Sequence, residues 1–170
     1  MNKLTLEYQK RFAERLIFDP SILDGIDPAA RLHALTTTHP QSSSAACLNV
    51  LGSMAHDPRG LARFLGCFGL EIEELYEFPS PVDFGGRVYR DKGYAVFEWI
   101  GPLRSPINEW GGGRGFGRTS ADAFLLGRIA GQVTQILVEW KFTEGVSRPL
   151  TLGRFCGTSG VERLRRYSAL

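Results

Sequence analysis

With 170 residues, 43% of them hydrophobic and 22% charged, the chain can bury one core and is short for two domains. A net charge of +2 neither demands nor excludes a polyanionic partner, so the distribution of charge says more than its sum. There is no apolar run of membrane-spanning length and no apolar stretch of the secretory kind near Met1, which predicts a cytoplasmic protein with no membrane partner.

In chain order, Tyr8 to Leu16 follow helical spacing, and Asp19-Pro20 ends that pattern. Residues 20–35 predict one or two short helices interrupted near Asp27-Pro28, followed by the polar loop TTTHPQSSS. Residues 44–54 predict a small-residue helix, and residues 58–70 another, with Pro58 in its first turn and Phe64, Leu65 and Phe68 as its buried stripe. EIEELYEFPSP reads as a strand, DFGGRVYRDKG as a turn region and YAVFEW (94–99) as a strand. Residues 101–118 are rich in glycine and lack apolar periodicity, the mark of a long functional loop or a plain connection.

The most regular stretch comes next. Residues 120–129 and 133–142 are strand-like runs separated by AGQ, and a turn centred on Ala130-Gly131 sets a register in which Asp122 faces Glu139. A last helix is expected in GVERLRRYSAL. Together these elements predict an α/β fold in a single domain over 1–170. A mostly helical section (1–70) packs on a small mixed sheet (71–170) whose central hairpin is 120–142.

Three residues of the hairpin carry the chemistry. Positions i and i+2 of a strand share a face, so Glu139 and Lys141 project together, and the hairpin brings Asp122 beside them. Two carboxylates side by side repel, and a divalent cation with a preference for hard oxygen ligands, Mg2+ or Mn2+, resolves the repulsion. Such a cation activates water and polarises a phosphoryl oxygen, and a lysine beside it stabilises developing charge. The bland alternative is a turn aspartate and an ordinary Glu139–Lys141 surface pair. It is weakened by the apolar run Ile136-Leu137-Val138 leading into Glu139, because a carboxylate there is costly unless paired or metal-bound. In the loop GGGRGFGR, Arg114 and Arg118 are expected phosphate contacts, with Ser120 just beyond them on the hairpin as a further nucleic-acid contact. His33, His39 and His56 have no partner spacing. Cys47, Cys67 and Cys156 are odd in number and far apart, so buried reduced thiols are expected rather than disulfides or a zinc site.

Several short motifs now fall in order: Ser42-Ser43-Ser44 then Asn49, Phe97-Glu98, the loop GGGRGFGR, Thr119-Ser120-Ala121-Asp122, and Glu139-Trp140-Lys141-Phe142-Thr143-Glu144. From about residue 40 to 144 this pattern resembles the PD-(D/E)XK, restriction-endonuclease-like nuclease superfamily, and within it an uncharacterised bacterial restriction-endonuclease group. The resemblance implies a restriction-endonuclease-like fold and a metal-dependent nuclease that hydrolyses DNA phosphodiester bonds in restriction or defence. It implies Asp122, Glu139 and the Trp140 carbonyl as metal ligands, Lys141 as the catalytic lysine and Glu98 as a further catalytic carboxylate. DNA is the implied partner, with a homodimer as the assembly to consider. Two departures stand out: Ser44 occupies the place of the group's glutamine, and the chain ends at Leu170, where members of the group continue, so a C-terminally short product is expected. The alternatives left open are a catalytically inactive nucleic-acid-binding remnant and an oligomeric structural protein that pairs through a sheet edge.

Overall fold

The computed structural model describes residues 17–28, 43–84, 86–102 and 119–140. The expected helix over Tyr8 to Leu16, the loop arginines, Lys141 and the terminal helix lie outside these residues, as do His33, His39 and Cys156.

Among the described residues the first element is a 3-10 helix, Pro20–Gly25, capped by Asp19, whose carboxylate accepts the Ser21 N–H at 2.9 Å. Proline at the first position suits this start, since its missing N–H would have found no partner there. Helix α1 spans Ser43–Leu51 and runs into a short 3-10 turn, Gly52–Met54. Helix α2 spans Pro58–Gly66, with Pro58 in its first turn and Asp57 capping the Gly60 N–H at 2.9 Å. Leu61 and Leu65 supply its buried stripe. Phe68, expected there, lies beyond the end of the helix and is 70% exposed, with its ring edge against Phe64.

Six strands follow: β1 (Ile72–Leu75), β2 (Val82–Asp83), β3 (Val88–Tyr89), β4 (Val96–Ile100), β5 (Ser120–Ile129) and β6 (Gln132–Val138). The segment expected to be only a turn region forms the small β2–β3 hairpin. Strand β5 organises the main sheet. Its first half pairs with β4, its second half with β1, and its other edge with β6, every pairing being antiparallel. The register of the β5–β6 hairpin is the one read from the Ala130-Gly131 turn, with Phe124 opposite Leu137 and Ile129 opposite Gln132. The strand expected to reach residue 142 stops at Val138, where the ladder ends. These helices over an antiparallel sheet form an α/β fold, compatible with the restriction-endonuclease-like fold that the sequence motifs imply.

Each face of the sheet has its own core. On one side α1, α2 and the 3-10 segment bring Leu48, Leu51, Leu61 and Leu65 onto Phe97, Ala123, Leu125 and Ile136. On the other side Phe78, Tyr89 and the β2–β3 hairpin cover Val96, Trp99, Ala121 and Phe124, with the Trp99 and Phe124 rings stacked at 4.9 Å. Gly93 makes one close approach of backbone to backbone. At φ +96° a Cβ there would collide with the Ala55 carbonyl, the same oxygen that accepts the Tyr94 N–H at 2.8 Å. No helix among the described residues is long and apolar enough to cross a membrane.

Candidate active site

Strict alternation along a strand would send Phe97 and Trp99 to one side of the sheet and Glu98 to the other. Strand β4 breaks this rule. Phe97 lies in the helix-side core and Trp99 in the opposite core, so the inversion falls at Glu98. The cause is the backbone of Glu98, which takes φ +52°, a left-handed conformation that costs a side-chain-bearing residue on the order of 1–2 kcal/mol. Strand β5 inverts in the same row, with Ala121 in the core on the hairpin side and Ala123 in the core under the helices. The pairs Phe97–Ala123 and Trp99–Ala121 bracket this row, which puts Glu98 and Asp122 across from each other.

Both carboxylates are buried, Glu98 at 5% exposure and Asp122 at 7%. Glu98 reaches α1, where the Ser44 hydroxyl donates to its Oε1 at 2.9 Å. Asp122 accepts the Trp140 N–H on Oδ2 at 2.7 Å. One step past the Ala123–Val138 pair, the hairpin register places Glu139 opposite Asp122, and Glu139 is exposed. Three acidic residues thus occupy one row across β4, β5 and the end of β6. The Cys47 thiol on α1 reports the side they face. Burial first, and then the negative charges of Asp122, Glu98 and Glu139, push its pKa far above the ordinary thiol value.

Of the residues singled out by sequence, Glu98, Asp122, Glu139 and Trp140 are therefore neighbours. Trp140 half-buries its ring against Phe64, with centroids 6.1 Å apart and planes 11° from parallel. Ser120 is half-buried and pairs with Ile100 at the start of β5. Lys141, Arg114 and Arg118 lie outside the described residues. His56 is exposed and lines a cleft of about 170 Å3 with Asp19, Ser21 and Ser53, and none of the three carboxylates lines that cleft. Of the thiols expected to be buried, Cys47 is, and Cys67, just past α2, is exposed. Sequence reasoning missed the parts of Ser44 and Cys47. Neither has a local signal, because the contacts join α1 to strands some 50 residues away, as in the 54-residue separation of Ser44 and Glu98.

Among the described residues no three His, Cys, Asp or Glu groups converge as a ready metal cage. The donor chemistry nonetheless suits magnesium, which is commonly held by one or two carboxylates and completed by water rather than by an all-protein cage. Asp122 and Glu139 offer carboxylate oxygens, and the residue after Glu139 offers the Trp140 carbonyl. Two of these carboxylates lie out of water, a setting in which a carboxylate needs hydrogen bonds or opposite charge around it.

No curated protein and no solved structure matches the chain. A family model does match, over residues 19–149, a span that takes in all three acidic positions and Lys141. With most of its length covered, the chain belongs to the family described as Restriction Endonuclease associating with ARP.

Proposed function

We propose that the protein is a metal-dependent nuclease of PD-(D/E)XK type that hydrolyses DNA phosphodiester bonds, acting in restriction or defence. The observation that carries this reading is the double inversion in β4 and β5. It puts Glu98 and Asp122 in one buried row beside Glu139, at the expense of a strained backbone. Strain of this kind is kept where a function requires the geometry.

In this reading Asp122, Glu139 and the Trp140 carbonyl hold a magnesium ion, for which manganese can substitute. When bound, the ion supplies Lewis-acid polarisation of the phosphoryl group and lowers the pKa of the attacking water. The Trp140 N–H fixes the Asp122 carboxylate through Oδ2, which leaves the orientation of that group to the backbone rather than to solvent. Glu98 adds negative charge on the same side, where it accepts a proton from the attacking water. Lys141 follows Glu139 by two positions and stabilises the charge that grows on the phosphoryl oxygens. The water oxygen bonds to phosphorus, the bond from phosphorus to the leaving oxygen breaks, and that oxygen takes a proton from a second water. Arg114 and Arg118 hold the DNA backbone, with Ser120 as a further contact.

The test is cleavage of supercoiled plasmid in magnesium by the wild type, Lys141→Ala and Asp122→Asn. The expected result is cleavage by the wild type that chelator abolishes and that both variants lose. DNA binding with no cleavage by any of the three would mark an inactive nucleic-acid-binding remnant and overturn the assignment.

A further inference from the structure

The geometry points to Ser44 as the positioning residue of this carboxylate row: its hydroxyl aims Glu98, whose negative charge beside Asp122 and Glu139 strengthens their hold on a divalent cation. The inference rests on the nuclease reading above and adds a residue to it.

Glutamate has three side-chain torsions, and at φ +52° the backbone of Glu98 gives its side chain a direction that an ordinary strand would not. Glu98 ends up 5% exposed, so bulk solvent does little to orient its carboxylate. One group that reaches it is the second residue of α1. Ser44 is itself buried at 8% exposure, and its Oγ lies 2.9 Å from Glu98 Oε1. Both ends of this bond are anchored. Ser44 belongs to a helix whose Ala45, Cys47, Leu48 and Leu51 are in the core, and Glu98 is bracketed by regular pairs on both sides. A serine hydroxyl rotates about one torsion and donates once, so it selects one oxygen of the carboxylate and fixes the direction of the other. Hydrogen bonds of this kind, made to a charged group in a water-poor setting, are stronger than neutral ones.

A role limited to holding the fold would leave cation affinity untouched, so affinity is the quantity to read. Titration calorimetry with Mn2+ on chelator-stripped protein compares the wild type, Asp122→Asn, Ser44→Ala and Ser44→Thr. The expected result is binding by the wild type, none by Asp122→Asn, affinity several-fold weaker for Ser44→Ala, and recovery with Ser44→Thr, which restores a hydroxyl. Should Ser44→Ala fail to fold, Ser44→Cys takes its place, being nearly isosteric and a poor donor, with the same loss expected. Wild-type affinity in a folded Ser44→Ala or Ser44→Cys protein, with Asp122→Asn still inactive in binding, overturns the role of Ser44 and leaves the nuclease site standing. Absence of Mn2+ binding by the wild type overturns both.

Discussion

Asp91 offers a prediction that needs no ligand. It lies between β3 and β4 at 0% exposure, and its Oδ1 accepts the N–H groups of Asp27 at 3.2 Å and Phe97 at 3.4 Å. Asp27 is buried too, and its Oδ2 accepts the Arg90 N–H at 2.8 Å. Burial pushes the Asp91 carboxyl up to about 7, against the pull of the two backbone donors and with help from the negative charge of Asp27. The folded protein therefore keeps this proton to about pH 7, whereas the unfolded chain releases it near pH 4. A raised folded pKa gives stability that is fully present below about pH 4 and is lost as pH rises through about 7. The difference of roughly three pH units corresponds to about 4 kcal/mol. Asp91→Asn keeps an acceptor for both N–H groups and cannot titrate. Urea denaturation in chelator should show the variant close to wild type at about pH 4, and more stable than wild type by several kcal/mol at about pH 8. Taking the difference between the two proteins at each pH cancels the other carboxylates. Two stability profiles that stay parallel between those limits would refute the reasoning.

Three further outcomes follow from the described geometry. Glu98→Gly should be more stable than Glu98→Ala by about 1 kcal/mol, reversing their usual order in a strand, because both lose the Ser44 bond and only alanine keeps a Cβ at φ +52°; thermal unfolding decides, and the ordinary order would mean the native backbone is not left-handed there. Ala130 and Gly131 sit at φ +49° and +74°, the pattern of a two-residue turn that favours Asn-Gly, so Ala130→Asn should gain on the order of 1 kcal/mol in urea titration. Leu125 is fully buried at the centre of β5, and Leu125→Ala should cost about 2–5 kcal/mol by the same measurement, a loss well under 1 kcal/mol showing that the helices do not pack on that strand.

Local rules made much of the architecture legible. The β5–β6 register follows from the position of the short Ala130-Gly131 turn between two strand-like runs, and the start of α2 follows from an aspartate before a proline. Those signals lie within a few residues of what they specify. The row of acidic residues was legible only in part. Pairing in the hairpin brings Asp122 to Glu139, but nothing at Phe97-Glu98-Trp99 announces a left-handed backbone, since neither glycine nor asparagine stands there. Strict alternation would have sent Glu98 to the wrong face. The Ser44–Glu98 bond and the Asp27–Asp91 pair join residues far apart in the chain, and only the packed structure brings them together. Phe68 was assigned to the buried stripe of α2 because the helical period was carried past Gly66, where the helix in fact ends.

A divalent cation bound where β5 meets the end of β6 would be revealed by anomalous scattering from manganese. In crystals of the full chain soaked with Mn2+, the expected result is a single strong anomalous peak within coordinating distance of Asp122 and Glu139 in the wild type, lost in Asp122→Asn. A peak elsewhere, or none at these carboxylates while the wild-type crystals diffract well, would contradict it.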